Sequence, residues 1–413
     1  MNALELWVYR RLKNNPAAKK LVVDAYRALL SLMPQRAIVT SFPYKERRGF
    51  FYGFHDKSPF SRDGERLLAH RNLIGDRIVR AGDPAEVGFF EGADWSEYHP
   101  IGRTQGWNWQ LGSMLQWMGG RGDRIVHNDI RNGRQVSIVR DLSGRQCAEL
   151  LHPVVHVTSD GALALSYDFF RVETAMPGYG AVVETATPGA GADGDFIIFD
   201  CASGTTRFQF SLAEAASIRP HASMDGAFHF FHHALFNPSN TRTFVLHRWL
   251  DRKKRLWTRM FSVGTRGEDL YLFPMDEMIS HVTWVSESEI FGYLRYPASG
   301  DGYYQLTDRT GGCRRFFAGV LNSDGHPTFD VRRSIVVTDT YPNGFGNQFL
   351  ILGLPEHDRT IHLCRTHLPG FLREELRVDL HPRLHPERYI VCFDAGHRRT
   401  RSLLTLDFSE AIR

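Results

Sequence analysis

The stretch HVTWVSESEIFGYLRY, residues 281–296, decides the fold of this chain. Two short runs rich in apolar, aromatic and β-branched residues flank the polar turn SESE. This pattern is typical of a β-hairpin whose strands bury one face. Six similar units occur along the chain: SPFSRDGERLLAHR (58–71), LQWMGGRGDRIVHND (115–129), VVHVTSDGALALSYD (154–168), HALFNPSNTRTFVLHRW (233–249), HPTFDVRRSIVVTDTYP (326–342) and HPRLHPERYIVCFDAGH (381–397).

The spacing of these seven units predicts a β-propeller. Corresponding apolar residues of successive units lie 57, 38, 81, 48, 45 and 55 residues apart. A repeat of about 40–50 residues with four short strands is the spacing of propeller blades. Apolar runs between the units, at 196–210, 303–317 and 402–408, supply outer strands. We therefore predict an all-β fold, a seven-bladed β-propeller.

The two ends of the propeller are expected to meet in one blade. Too few residues follow the last unit to complete a blade, and the segment RAIVTSF at 36–42 can supply the missing strand. Such a closure leaves no open sheet edge. The Gly-rich stretch at 178–195 is expected to be a loop over one face. The propeller domain would then span residues 36–413.

Residues 1–35 are expected to form a separate N-terminal helical arm. Apolar residues recur there at steps of three and four, Pro16 divides the segment, and Lys and Arg fill the other face. The arm either packs against the propeller or rests on an anionic membrane surface as a peripheral contact. We identify no signal peptide and no apolar run of about 18 residues, so we expect a cytoplasmic protein, peripheral to the inner membrane if the arm binds it.

Charge and cysteine content narrow the class of protein. The 50 Lys and Arg residues nearly balance the 46 Asp and Glu residues, which argues against a nucleic-acid partner. The five cysteines are widely spaced and form no CxxC motif. They therefore predict buried free thiols rather than a disulfide framework or a zinc knuckle.

Histidines begin the units in the second half of the chain. They are His232 or His233, His281, His326 and His381. Equivalent positions in a ring of blades converge on the central axis, so these imidazoles can meet at one mouth of the channel. We predict that His281, His326 and His381 bind one divalent cation, Mn²⁺, Ca²⁺ or Zn²⁺, and that His233 is catalytic. The alternative is a shared turn motif that requires histidine for packing in every blade.

Two further residues are candidates for catalysis. Tyr179 lies between two glycines in PGYG, next to the Gly-rich stretch, and its hydroxyl can serve as a general acid. Arg248, at the end of the fourth unit, can bind a carboxylate through its two-pronged guanidinium, unless it is a surface arginine of an outer strand.

In the first half of the chain, Gln116, Asn128 and His156 are candidates for substrate binding. Each also has an ordinary explanation as a residue of a turn or of the propeller rim.

The motifs HHALFNPSNTRTFVLHRW (232–249), SHVTWV (280–285), DGHPTFDVRRSIVVTDTYP (324–342) and DLHPRLHPERYIVCFD (379–394) resemble propeller polysaccharide lyases. The families are the oligogalacturonate lyases and the ulvan lyases, with TolB-type propellers as more distant relatives. The resemblance implies β-elimination on a glycan that contains uronic acids. A cation or an arginine neutralises the carboxylate, a base removes the C5 proton, and an acid protonates the C4 oxygen.

The resemblance also implies roles for individual residues. His281, His326 and His381 stand at matching positions of the oligogalacturonate lyases, which bind a divalent metal through histidines and a glutamine. His127 and Tyr179 are the counterparts of catalytic side chains in the ulvan lyases. Where the oligogalacturonate pattern has a second histidine after His-Pro, this chain has Arg383, and we assign carboxylate binding to it.

Two functions are consistent with these residues and motifs. The first is a lyase acting on an acidic oligo- or polysaccharide. The second is a non-catalytic propeller that binds a glycan or a protein in capsule or exopolysaccharide production, because a propeller fold does not by itself fix a function.

Overall fold

The computed structural model describes residues 36–120, 122–185, 194–275 and 277–412. The predicted N-terminal helical arm, residues 1–35, lies outside the described residues.

Short antiparallel strands are the main regular secondary structure of the described residues. In chain order they are β1 (Ile38–Val39), β2 (Tyr44–Arg48), β3 (Phe50–Phe51), β4 (Leu67–Asn72), β5 (Ala85–Glu91), β6 (Glu97–Thr104), β7 (Gln116–Met118), β8 (Arg124–Arg131), β9 (Arg134–Asp141), β10 (Gln146–Leu150), β11 (His156–Val157), β12 (Leu163–Ser166), β13 (Phe196–Asp200), β14 (Thr206–Phe210), β15 (Phe228–Phe236), β16 (Arg242–Leu250), β17 (Leu256–Gly264), β18 (Tyr271–Leu272), β19 (Ile279–Trp284), β20 (Glu289–Tyr296), β21 (Gly300–Thr307), β22 (Cys313–Phe316), β23 (Thr328–Asp330), β24 (Ile335–Asp339), β25 (Asn347–Leu354), β26 (Arg359–His367), β27 (Arg383–Leu384), β28 (Ile390–Ala395) and β29 (Ser402–Asp407). Two α-helices, α1 (Phe169–Ala175) and α2 (Leu212–Ser217), lie in the third blade and after it.

The strands form seven sheets, which confirms the seven-bladed propeller. Five sheets are four consecutive strands each: β3 to β6, β7 to β10, β11 to β14, β15 to β18 and β19 to β22. The sixth contains β23 to β26 with β1 at its outer edge, and the seventh contains β27 to β29 with β2. We number these sheets blades 1 to 7. Each predicted unit coincides with the hairpin of the first two strands of a blade, except that β3 of blade 1 lies upstream of its unit.

The chain ends meet in blade 7, but the predicted segment was wrong. The stretch 36–42 contributes β1, which pairs with β26 of blade 6 through Ile38 and Thr366. Blade 7 is completed instead by β2, whose residue Tyr44 pairs with Leu406. The run YKERR of β2 looks too polar for a strand, yet an outer strand needs only one buried face.

Aromatic residues of the repeat connect neighbouring blades. The indole N–H of Trp284 in blade 5 donates to the carbonyl of Leu235 in blade 4, at 3.0 Å. The indole N–H of Trp117 in blade 2 donates in the same way to Pro59, at 2.9 Å. These anchors therefore fix one blade against the next, in addition to burying apolar surface.

The cysteine prediction is correct in part. All five cysteines are free. Cys364 and Cys392 are buried, as expected, whereas Cys147 and Cys313 are exposed because they lie on outer strands β10 and β22.

Helix α1 carries the chain toward the mouth of the central channel. The carboxylate of Asp168 caps its first turn by accepting from the backbone N–H of Phe170 at 2.8 Å. The carboxylate of Glu173, within the helix, accepts from the backbone N–H groups of Gly178 and Gly180 in the turn that follows, at 3.0 and 2.9 Å. These bonds define the turn that presents Tyr179. Within the described ranges, no helix is both long and apolar enough to cross a membrane.

Candidate functional site

A cluster of five histidines surrounds Phe54 at the centre of the propeller. We call His55, His233, His281, His326 and His381 the histidine cluster. The ring centroid of Phe54 lies 5.3 Å from that of His233, 5.9 Å from His281, 6.1 Å from His326 and 5.2 Å from His381.

The convergence predicted from the repeat is present in the structure. The rings of His281 and His326 are 4.0 Å apart, and those of His326 and His381 are 4.3 Å apart. A β-bulge in β15 at His233, with φ of 63°, interrupts the alternation of side chains. A bulge re-aims side chains, which explains how the adjacent His232 and His233 both face the channel.

Carboxylates orient two of these imidazoles. Asp339 lies 2.8 Å from Nδ1 of His326 and also accepts from the backbone N–H of His381, at 3.0 Å. Asp324 lies 3.2 Å from Nδ1 of His281. A carboxylate on one ring nitrogen presents the other nitrogen, Nε2, to a ligand, which is the arrangement around metal-binding histidines. Among the described residues, Nε2 of His326 and of His381 has no hydrogen-bond partner.

His326, His381 and Asp379 form a candidate metal site, which we call the metal cluster. Their nearest ligand atoms all lie within 4.8 Å of one another, and all three side chains are buried. Two imidazole nitrogens and a carboxylate oxygen are a donor set suited to Mn²⁺ or Zn²⁺. Asp379 is a candidate ligand that was not predicted from the sequence. His281 is packed against His326 but is not in this three-residue group.

Burial controls the protonation of the cluster. It lowers the pKa of His55, His233, His281 and His381. These rings are therefore neutral at pH 7 and keep a lone pair for a ligand or a proton. Burial also opposes the charged form of His326, but the charge and hydrogen bond of Asp339, together with the charges of Asp379 and Asp324, raise the pKa of that imidazole.

An open cleft of about 200 Å³ lies beside the cluster at one mouth of the channel. Phe54 and His281 form the side of the cleft that faces the histidine cluster. Its lining consists of Phe54, Met176, Tyr179, His232, Arg248, Leu256, Thr258, Glu277, Met278, Ile279, Ser280, His281 and Tyr341. We call this space the channel cleft.

Arg248 projects from β16 into the channel cleft and is 5% exposed. One guanidinium nitrogen, Nη2, donates to the backbone carbonyl of Ser280 at 3.2 Å, and Nη1 contacts the sulfur of Met176 at 3.6 Å. Its Nε has no hydrogen-bond partner among the described residues, and no carboxylate of these residues forms an ion pair with it. A buried guanidinium without an ion-pair partner favours binding of an anion.

Tyr179 also lines the channel cleft and is held there by Arg377. The guanidinium Nη2 of Arg377 donates to the Tyr179 hydroxyl oxygen at 3.2 Å. Burial, reinforced by the nearby Asp379, raises the pKa of Tyr179 to about 12. The phenol therefore keeps its proton at neutral pH, as a general acid must.

His232 is the imidazole that faces Tyr179, with ring centroids 6.0 Å apart. Neither of its ring nitrogens has a hydrogen-bond partner in the described part of the chain. Burial lowers its pKa well below the usual value, with a further contribution from Arg248. The ring is therefore a neutral proton acceptor in the same cleft as a cation and a phenol.

The structure places His233 and Arg383 away from the channel cleft. Nε2 of His233 lies 3.6 Å from the carboxylate of Asp56, on the axis beyond Phe54. Arg383 is 1% exposed and bound to the carboxylate of Asp394 at 2.6 Å. Since its charge is already matched, the predicted role of Arg383 in substrate binding gains no support from this placement.

His127 and Asn128 lie inside blade 2. The Nδ1 of His127 is 3.0 Å from the carbonyl of Asn128, and its Nε2 accepts from Arg140 at 3.4 Å. The Asn128 side chain donates to the carbonyl of Val154 at 3.1 Å and so connects blades 2 and 3. Neither residue is part of the lining of the channel cleft.

Gln116 and His156 also connect blades. The side-chain oxygen Oε1 of Gln116 accepts from the backbone N–H of Val157 at 2.9 Å. The Nδ1 of His156 accepts from the backbone N–H of Phe236 at 3.2 Å. Both residues therefore have a structural role between blades, and they lie on strands β7 and β11 rather than in a turn or at the propeller rim.

Four residues of the site were not among the sequence candidates, namely Phe54, Tyr341, Arg377 and Asp379. Asp379 carried a usable signal, since it stands two residues before His381 in the motif DLHP. Phe54 follows β3 of blade 1, upstream of the unit assigned to that blade, so the repeat did not reveal it.

Comparison with known proteins identifies the fold. No protein-family model matches the chain, and no curated protein sequence matches it. An oligogalacturonate lyase solved in complex with manganese superposes with a TM-score of 0.61 at 12% identity, covering 92% of this chain and 100% of the lyase. An oligogalacturonate lyase from Vibrio parahaemolyticus gives 0.60 at 11% identity, covering 92% and 100%. The β-propeller domain of Cps50 (Swd1) from Myceliophteria thermophila gives 0.52 at 14% identity, covering 88% and 99%.

At these identities the likeness shows the fold alone. The resemblance to oligogalacturonate lyases that the sequence suggested is thus confirmed at the level of the fold: the chain is a seven-bladed propeller with the architecture of these lyases.

Proposed function

We propose that this propeller binds an acidic saccharide in the channel cleft and cleaves it by β-elimination. The observation that carries the proposal is the meeting of three groups in one cleft. They are the unpaired cation of Arg248, the neutral imidazole of His232 and the protonated phenol of Tyr179.

Each group has a role in the elimination of a uronic-acid glycan. Arg248 binds the carboxylate and stabilises the negative charge that develops on it when C5 loses its proton. His232 accepts that proton on a ring nitrogen. The C4–O bond then breaks, and Tyr179 gives its proton to the departing oxygen, which leaves a C4–C5 double bond in the product.

The metal cluster belongs to the same proposal. His326, His381 and Asp379 would hold the cation, for which Mn²⁺ is the first choice, since a lyase with the same fold was solved with manganese. When bound, such a cation supplies further stabilisation of negative charge at the channel mouth.

The reaction can be tested directly. We expect absorbance near 235 nm to rise when the protein is incubated with uronic-acid oligosaccharides, because the product contains a conjugated double bond. The panel should include capsular and exopolysaccharide fragments, since we propose a role in their metabolism. A flat trace over the whole panel, with Mn²⁺ present, would contradict the lyase proposal.

Replacing Tyr179 should impair turnover more than binding. We expect Tyr179→Phe to lower kcat about 100-fold, because the departing oxygen loses its proton donor, while KM changes little. Steady-state kinetics on the best saccharide of the panel measures both parameters. Tyr389→Phe, at the distant end of blade 7, is the matched control and should behave like the wild type. An unchanged kcat in Tyr179→Phe would remove Tyr179 from the mechanism.

Replacing Arg248 distinguishes a catalytic function from glycan binding without catalysis. We expect Arg248→Met to weaken binding of an acidic oligosaccharide at least tenfold, because the buried cation is lost while the apolar stem is kept. Calorimetric titration measures the affinity. The comparison ligand is the same oligosaccharide with its carboxylates reduced to alcohols, which is neutral. Arg248-dependent binding without any product would support the alternative function, a non-catalytic glycan-binding propeller. Equal binding by both proteins would contradict either function at this cleft.

A further inference from the structure

Arg377 lies between the metal cluster and Tyr179 and contacts both. Its Nε donates to Asp379 Oδ1 at 2.8 Å, and its Nη2 donates to Asp379 Oδ2 at 2.8 Å. The same Nη2 reaches the Tyr179 hydroxyl at 3.2 Å, and the ring of Tyr341 lies 4.8 Å from the guanidinium carbon. A planar fork bound at two points and stacked on a ring has little freedom to move.

The carboxylate of Asp379 serves two partners. It is the counter-charge of Arg377, and one of its oxygens also lies within 4.8 Å of a ring nitrogen of His326 and of His381. The carboxylate is 1% exposed, so water does not screen these interactions. A divalent cation at the histidines and the guanidinium of Arg377 would therefore compete for one negative charge.

We propose that Arg377 is a positioning residue that couples the metal cluster to Tyr179. Without a cation, Asp379 holds the guanidinium firmly, and the guanidinium holds the Tyr179 hydroxyl oxygen. A cation on His326 and His381 draws the charge of Asp379 toward itself and loosens its contact with Arg377. The hydrogen bond from Arg377 to the Tyr179 hydroxyl oxygen is then weakened as well. The coupling itself does not require the proposed function; only the role of Tyr179 as the general acid rests on it.

The local chain explains why this coupling is direct. Arg377 and Asp379 are two residues apart, and Arg377 has an extended backbone, with φ of −53° and ψ of 140°. The contact between the guanidinium and the carboxylate is therefore local in the chain. Tyr179 is brought to this pair by the turn after α1.

Metal affinity tests the competition without any catalytic assay. We expect Arg377→Met to bind Mn²⁺ about tenfold more tightly than the wild type, because a cation that competes for Asp379 is removed. Asp379→Asn should bind Mn²⁺ at least tenfold more weakly. Arg77→Met is the matched control, since Arg77 also makes a two-point contact with a carboxylate, through Nη1 and Nη2 to Asp83 at 2.6 and 2.7 Å, but on the surface. Its Mn²⁺ affinity should equal that of the wild type.

Calorimetric titration of the full chain with MnCl₂ gives these affinities. Unchanged or weaker binding by Arg377→Met would overturn the competition. So would a wild-type protein that binds neither Mn²⁺ nor Zn²⁺, although β-elimination through Arg248 could still be observed at 235 nm. Arg377→Lys, which keeps the charge but not the fork, provides a second variant and should give an intermediate affinity.

A spectroscopic label reports on Tyr179 itself. With 3-fluorotyrosine at position 179, saturating Zn²⁺ should move the ¹⁹F resonance of the wild type. Arg377→Met without metal should move it in the same direction, and Zn²⁺ should then have little further effect. A resonance that ignores Zn²⁺ in the wild type would disprove the coupling even if the lyase assay is positive.

Discussion

Acidification from pH 7 to pH 5 is expected to lower the free energy of unfolding by about 4 kcal/mol from His70 and His127 alone. Both rings are 0% exposed, and burial lowers the pKa of His70 to about 3 and that of His127 to about 4. In the unfolded chain each imidazole has a pKa of about 6.5. Below that pH the unfolded state binds two protons that the folded state does not bind.

The sign of this effect follows from proton uptake. Stability contributed by a neutral buried histidine is complete above about pH 6.5 and declines as the pH falls toward its folded pKa. His326 works in the opposite direction, since its pKa is raised by Asp339 and its charged form stabilises the fold at low pH. One such group does not offset two histidines of the other kind, and burial lowers the pKa of His55 and His233 as well.

Urea unfolding at pH 7, 6 and 5, with a chelator present, measures this loss. His127→Gln is the informative variant, because it removes one of the two titrating groups. Its stability should fall by about 2 kcal/mol less than that of the wild type over the same range. A free energy of unfolding that stays constant from pH 7 to pH 5 would show that these rings are accessible to protons in the folded state.

Replacement of Asp394 by alanine is expected to destabilise the protein by about 3–5 kcal/mol, because it leaves a buried charge without its partner. Asp394 accepts from the backbone N–H groups of Tyr52 and Gly53, at 2.9 and 3.0 Å, and from Nη2 of Arg383 at 2.6 Å. All of these groups are buried. The carboxylate thus joins blade 7 to blade 1, where the ring of blades closes.

A double variant separates the lost charge from the lost volume. Asp394→Ala combined with Arg383→Met removes both charges and should recover part of the stability of the single variant. Asp301→Ala breaks an exposed pair with Arg295 and should change stability by less than about 1 kcal/mol. Denaturant unfolding of the four proteins measures these differences. A loss as small for Asp394→Ala as for Asp301→Ala would contradict the structural role of Asp394.

The repeat made part of the site predictable. Once the units are recognised as blades, residues at the same phase must face the same axis, so His281, His326 and His381 could be placed together from sequence. Arg248 and Tyr179 were also found, although they lie far apart in the chain, because each carried a local signal: a guanidinium at a strand end and a tyrosine between glycines.

Other residues looked functional in the sequence and have structural partners. Arg383 follows the motif His-Pro and invites a substrate role, but its charge is matched by Asp394 on the adjacent strand. His127 stands in a polar run, HND, but it is enclosed in blade 2. Sequence shows the chemical type of such a residue, whereas its availability depends on which group the fold places beside it.

The sequence by itself determined the number of blades, the first two strands of most blades and the phase of the histidines, because these depend on hydrophobic periodicity and on a repeat that can be read along the chain. Only the tertiary structure decided that Phe54 fills the centre of the histidine cluster, that Asp379 joins His326 as well as His381, and that Arg248 is left without an ion-pair partner. These features depend on which side chains the fold brings together from different blades, and the periodicity of the repeat does not specify them.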